Sequence, residues 1–257
     1  SATKKEMGFR LDQIVISRTT GIMANNAATH ALQQIKSSLA KQRTVRMIAA
    51  TGNSQLEMLE LLVSARGIDW KRVELFHLDE YVGIGQDHPA SFARYIKERI
   101  IDKTGIEKYH LLDGLANPED VIAQVGAEIR RAPVDLALIG IGENGHLAFN
   151  DPPADFDTQD PYLVVSLDER CRLQQVNEGW FPSLEAVPQQ AITMSIQQIM
   201  KAKSIVCTVP DQRKAEAVRS ALCDDVTPLC PASVLRYHGN AKIFLDAQSA
   251  SLLQLDA

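Results

Sequence analysis
The sequence is poor in aromatic residues, at 5 % of 257, so its core must be built mainly from aliphatic side chains. It has no run of basic residues, and its 32 acidic against 27 basic side chains leave a net charge of −5. An acidic field repels polyanions, which excludes a nucleic-acid or anionic-membrane surface and leaves a small molecule as the expected partner. No segment approaches the roughly 18 uncharged apolar residues of a membrane span. The stretch SATKKEMGFRLDQ lacks the apolar centre of a targeting signal, so the expected location is cytoplasmic. Four cysteines, Cys171, Cys207, Cys223 and Cys230, form no C-x-x-C pair and fall short of a secreted scaffold, which predicts reduced, mostly buried thiols. Low-complexity tracts, fixed-period repeats and Pro/Gly/Ser linkers are absent as well. Residues 1–257 are therefore expected to form one domain, for which a hydrophobic content of 45 % supplies the core.

What is present is a regular alternation. Short runs rich in valine and isoleucine recur: VRMIAA (45–50), VELFHL (73–78), VDLALIGI (134–141), YLVVSL (162–167), SIVCTV (204–209) and AKIFL (241–245). They read as buried strands. Between them, residues 26–42, 55–66, 90–102, 118–131 and 213–222 carry helical spacing. Strands alternating with helices predict an α/β three-layer sandwich around a mostly parallel, Rossmann-like sheet. Ligands of such sheets sit at the carboxyl ends of the strands, which directs attention to TGNS (51–54), DEYVGIGQDHP (79–89) and GENGHLAFNDP (142–152).

The third loop contains GIGENG, a formal match to the G-x-G-x-x-G fingerprint of dinucleotide binding. That fingerprint requires a helix to open directly behind the glycines, so that its N-terminus meets the pyrophosphate. Here HLAFNDPPADFDTQDP follows, with three prolines and no apolar period, and the dinucleotide reading is rejected. A tight loop placing Asn144, His146, Asn150 and Asp151 at the sheet edge remains, as does a plain turn whose polar side chains serve only the backbone. In the second loop, Asp79 and Glu80 follow a strand directly. A carboxylate at one strand end and a histidine at another supply proton carriers of different pKa for general acid–base chemistry, while a cap on the next segment is the structural alternative for Asp79. His77, Asp79, His88, His146 and Asp151 show no metal-site spacing, and no metal is expected.

FHLDEYVGIGQDHPASFARYI (76–96), GIGENGHLAFNDP (140–152) and KAEAV (214–218) resemble the glucosamine-6-phosphate deaminase/isomerase family, in order and spacing over nearly the whole chain. The related 6-phosphogluconolactonases share the Gly-His loop, but DEYVG and GHLAFN look like the deaminase branch. The resemblance implies cofactor-free conversion of an aldose 2-amino-6-phosphate into a ketose 6-phosphate and ammonia. It implies that Asp79 shuttles a proton between sugar C2 and C1, that His146 opens the pyranose ring, and that Asp151 assists that histidine. It places the phosphate on Thr51, Gly52, Asn53, Ser54, Arg172 and Lys214, and a homo-oligomer is common in such families. Backbone N–H groups at a helix start and a guanidinium fork suit an oxyanion.

The sequence also departs from the family. Asn144 stands where the family has an aspartate, and Asp151 where it has a glutamate. An amide carries no charge for an imidazolium and leaves the imidazole tautomer open; the analogous change in a serine protease costs about 10⁴ in turnover. Glu143 is a neighbouring source of the missing charge. TGNS replaces a Gly-Gly-containing loop. A lactonase and a non-catalytic sugar-phosphate sensor therefore stay open as alternatives, and residues 178–188, with Trp180 and Phe181, are expected to pack rather than to form a lid.

Overall fold
Period-two alternation in the apolar runs gives each strand two buried faces, and the computed structural model, which describes residues 11–253, uses both. Seven strands form a parallel sheet in the order β1 (Ile14–Ser17), β10 (Ala241–Asp246), β9 (Ser204–Val209), β6 (Leu136–Ile139), β2 (Val45–Ala49), β3 (Val73–His77) and β5 (Lys108–His110). Met47, Ala49, Leu136 and Leu138 face one layer of helices, formed by α1 (Thr20–Lys41), α2 (Leu56–Ser64) and α3 (Phe92–Ile96), which runs on through a π-helical turn (Lys97–Ile101). Ile48, Ala137 and Ile139 face the opposite layer. That layer contains α4 (Pro118–Arg130), α6 (Ile196–Met200) and α7 (Ala215–Cys223), and its core also takes in Tyr162, Ile192 and Met194. Each fully buried Leu or Ile contributes about 1.5–3 kcal/mol. Among the described residues no helix is long and apolar enough to cross a membrane.

Those last three side chains belong to a second sheet, antiparallel, in the order β4 (Asp79–Tyr81), β8 (Gln190–Met194) and β7 (Tyr162–Ser166). Two expectations are corrected here. YLVVSL is a strand, but it lies outside the parallel sheet and Leu163 to Val165 are only half-buried. Asp79–Tyr81, expected to be loop, is a strand that pairs with β8. The thiols are mixed too, with Cys207 and Cys230 buried, Cys171 half-buried and Cys223 exposed.

Local signals set the helix starts. Asn117 caps α4 by accepting from Glu119 N and Asp120 N, with Pro118 directly behind it. Thr19 caps α1, six residues or so before the apolar periodicity becomes evident at 26. At the amino ends of the strands, buried Arg46 pairs with Glu74 at 2.8 Å and donates to the carbonyls of Glu128, Ile129 and Ala132 at the end of α4. Burial alone would raise the Glu74 pKa, but hydrogen bonds from Arg46 and His110 outweigh it and hold it low. Glu74, His110 and Glu128 lie close enough together to share a metal ion. Arg46 and Lys108, 3.5 Å from Glu74, already supply positive charge there.

Strand order fixes where a ligand can enter. From β2 the chain moves outward to β3, whereas from β6 it moves the other way to β9. The connections leaving β2 and β6 diverge and open a crevice at their carboxyl ends. TGNS leaves β2 and GIGENGH leaves β6 at that switch point.

Candidate active site
A cavity of about 710 Å³ fills the crevice, and residues 51–54, Asp79, His146 and Lys214 all line it. Ala148 (φ 54°) and Asp211 (φ 89°), the non-glycine residues with positive φ among those described, line it as well. Sparsely populated backbone conformations of this kind concentrate where surrounding structure must fix a site.

The two neighbouring acids separate because successive residues of a strand point to opposite sides. Glu80 turns away from the cavity and accepts from Tyr81 N, Ser91 Oγ, Phe92 N and Ala93 N, at 2.8–3.1 Å, which caps α3. The capping role considered for Asp79 therefore falls to Glu80. Asp79 faces the cavity, and its carboxyl has no hydrogen-bond partner among the described residues. Burial, with the nearby Glu80 charge, pushes its pKa up to about 8.

His146 sits in a turn in which Gly145 N donates to Gly142 O and Gly142 N donates to His146 O. Asn144 Oδ1 accepts from both the backbone N–H and Nδ1 of His146. The backbone N–H can only donate, so it fixes the amide oxygen on this side of the loop, against the imidazole. His146 is thereby held as the Nδ1–H tautomer with Nε2 free to accept a proton. Asp151 Oδ1 lies 3.7 Å from Nδ1. Asn144 and Asp151 do not line the cavity themselves; they back the imidazole. Burial and then the Lys214 charge push His146 down to about 4, so the ring is neutral near pH 7. Restoring a charge by Asn144→Asp should raise the His146 pKa by about one to three units, read from the imidazole resonances in an NMR pH titration. An unchanged titration would show that the carboxylate does not reach the ring.

The phosphate positions divide. Residues 51–54 follow β2 and lead through a 3-10 turn (Asn53–Gln55) into α2. Gly52 there has φ 108°, a conformation that favours glycine. Lys214 stands where a 3-10 turn runs into α7, and burial lowers its pKa while Glu143 and Glu178 oppose that shift. Arg172 does not line this cavity: it donates to Leu184 O and Val187 O. It lies on α5 (Glu169–Asn177), where Gln174 and Glu178, two and six residues further on, fall roughly half a turn away and line the cavity instead.

The paired aromatics of residues 178–188 divide. Phe181 is buried against Tyr81 and His88, whereas Trp180 is partly exposed at the cavity wall. His77 is fully buried, accepts from Leu112 N and is pushed down to about 3 by burial, which makes it a core histidine. His88 accepts from Ala90 N through Nδ1. Three contributors were not evident in the sequence. Gly142 leaves the space in which the His146 ring lies, Tyr95 donates to Gly52 O at 2.9 Å, and Arg94 on α3 lines the cavity. The G-x-G of GIGENG carried a signal for the first, read there only as turn chemistry.

Residues 18–244 match the family of glucosamine-6-phosphate isomerases/6-phosphogluconolactonase. The chain is 37 % identical over 233 residues to a glucosamine-6-phosphate deaminase of Exiguobacterium sibiricum, covering 88 % of this chain and 90 % of that one. It is 36 % identical over 248 residues to a glucosamine-6-phosphate deaminase of Thermoanaerobacter pseudethanolicus, covering 94 % and 95 %. The solved structure of a monomeric glucosamine-6-phosphate deaminase superposes with a TM-score of 0.85 at 28 % identity, over 94 % of this chain and 100 % of that one. A 6-phosphogluconolactonase from Thermotoga maritima shares the fold, with a TM-score of 0.75 at 19 % identity over 91 % and 99 %. With residues 18–244 matched and a named relative 37 % identical over most of both chains, the chain belongs to the glucosamine-6-phosphate isomerase/6-phosphogluconolactonase family.

Proposed function
We propose that the protein isomerises and deaminates glucosamine 6-phosphate or a close relative, releasing a ketose 6-phosphate and ammonia. The observation that carries this reading is Asp79, a buried carboxyl without a hydrogen-bond partner among the described residues, facing the same cavity as a neutral imidazole. The similarity to named deaminases over most of the chain supports it. His146 Nε2 takes the proton of the anomeric hydroxyl and delivers it to the ring oxygen, which breaks the C1–O5 bond and yields the open-chain aldehyde. Asp79 then removes the proton from C2 while the C2 ammonium gives a proton to O1, leaving an enolamine, and Asp79 returns its proton to C1. The resulting C2 imine adds water and expels ammonia, leaving the ketose. Every protein step here is a proton transfer.

Residues 51–54 and Lys214 hold the phosphate in this reading. A substrate ammonium entering beside Asp79 favours the carboxylate and readies it as a base. Purified protein incubated with glucosamine 6-phosphate should release ammonia and fructose 6-phosphate in equal amounts, with solvent deuterium appearing at C1. Lys214→Met should raise KM about 10- to 100-fold, the worth of a lost charge-assisted hydrogen bond, with a smaller change in kcat. Hydrolysis of 6-phosphogluconolactone without ammonia release would replace this reading by a lactonase. Thermal stabilisation by the sugar phosphate without turnover would replace it by a sensor.

A further inference from the structure
Gln55 is fully buried at the start of α2, directly behind the residues assigned to the phosphate. Its Nε2 lies 3.1 Å from Thr208 O, 3.4 Å from Ile139 O and 3.4 Å from Ser54 Oγ. Two carbonyl neighbours require the N–H₂ end of the amide, so Oε1 is left buried without a partner. Ile139 is the last residue of β6, from which the chain enters the His146 loop. Thr208 is in β9, which leads into the segment carrying Lys214. The amide rests on the bare Cα of Gly140, where an added Cβ would come within 2.9 Å of Nε2. On the backbone side, Gln55 N donates to Gly52 O, the same carbonyl that accepts from Tyr95.

We propose that Gln55 is a positioning residue for anion binding, its side-chain amide locking together the three loops that carry residues 51–54, His146 and Lys214. The inference rests on reading 51–54 and Lys214 as the phosphate site. Those two anchors come from strands that are not neighbours, since β6 stands between β2 and β9. Backbone N–H groups bind an oxyanion well only when they and the countercharge are fixed before it arrives. A buried amide reaching both β6 and β9 provides that fixing, at the cost of one unsatisfied oxygen.

Inorganic phosphate is the probe, titrated calorimetrically into wild type, Gln55→Met and Gly140→Ala, with steady-state kinetics on glucosamine 6-phosphate alongside. Methionine keeps the side chain's length and removes its donors. Alanine at 140 keeps the amide and pushes it off its acceptors. Both variants should weaken phosphate binding about tenfold and raise KM in step, one hydrogen bond's worth of affinity. A merely structural glutamine would lower the melting temperature and leave both constants unchanged, which overturns the proposal. If Gln55→Met does not fold, Gly140→Ala decides by the same criterion. Phosphate binding that weakens in the variants of a protein with no deaminase turnover would sink the deaminase reading and sustain this one. A wild type that binds no phosphate overturns this proposal and leaves the deaminase reading to ammonia release.

Discussion
Asp79→Asn is expected to lower turnover of glucosamine 6-phosphate by about 10⁴ and, at pH 8, to raise the melting temperature by at least about 3 °C. Both effects have one cause. The carboxyl faces the cavity without a hydrogen-bond partner among the described residues, and burial moves its pKa from 3.8 to about 8. Below about pH 4 the folded and unfolded chains both hold this proton, and it contributes nothing to the difference between them. Between about 4 and 8 the unfolded chain releases a proton that the folded chain keeps, so folding stability falls as pH rises. Above 8 the loss is complete and constant. Asparagine cannot ionise, so its advantage should be small at pH 4 and largest at pH 8, and thermal melts of both proteins at the two pH values measure it. Activity runs in the opposite direction, because the base must be ionised, and kcat/KM of the wild type should rise towards a plateau above about pH 8. An asparagine variant that melts at or below wild type at pH 8 would mean that the carboxylate is charged and stabilised in the empty cavity. Retained turnover would remove Asp79 from the proton shuttle.

Gly142→Ala is the second large effect, with an expected loss of about 10²–10³ in kcat, approaching the level left by His146→Gln. A Cβ built on Gly142 falls on the ring atoms of His146 themselves. The substitution adds no backbone strain, since Gly142 is not among the positive-φ glycines. Its effect is one of space: the imidazole must leave Asn144 Oδ1, with which it makes the hydrogen bond that fixes its tautomer. A ring displaced by even about 1 Å from its working position loses on the order of 10² in rate. The variant should therefore remain folded, with a modest change in melting temperature, while kcat falls far more than KM rises. A Gly142→Ala enzyme within twofold of wild type would show that the ring need not lie over this glycine.

The sequence departure with the most serious implication, Asn144 for aspartate, has a structural answer that the sequence did not contain. An amide can present either end to an imidazole, and the wrong end would select the wrong tautomer. The backbone N–H of His146, which can only donate, settles the choice by holding the oxygen end against the ring. That requires knowing that the side chain of 144 folds back onto the backbone of 146, which the spacing of a loop containing Gly145, Pro152 and Pro153 does not reveal.

The parallel strands β2, β3, β6, β9 and β10 were legible because continuous Val/Ile-rich runs can be buried on both faces only inside such a sheet. The strands β1, β4, β5 and β8 were not recognised. β4 and β5 have only three residues each, too few to show a period, and β4 and β8 exist because each pairs with a distant segment. The cavity's polar residues were partly legible, because strand-end loops in an α/β order must converge at a switch point. Arg172 and Gln55 mark the boundary. The family resemblance placed the phosphate on Arg172, yet helical geometry turned it towards Leu184 O and Val187 O. Gln55 carries no signal of its own at the start of a helical stretch, yet it lies against strands more than 80 residues away. By itself the sequence determined the layering, the loops that carry chemistry and the residue types available for it, because periodicity and turn chemistry act between near neighbours. Which of two adjacent acids faces the cavity and which cation reaches it were decided only by tertiary structure, because those directions depend on partners brought together from distant parts of the chain.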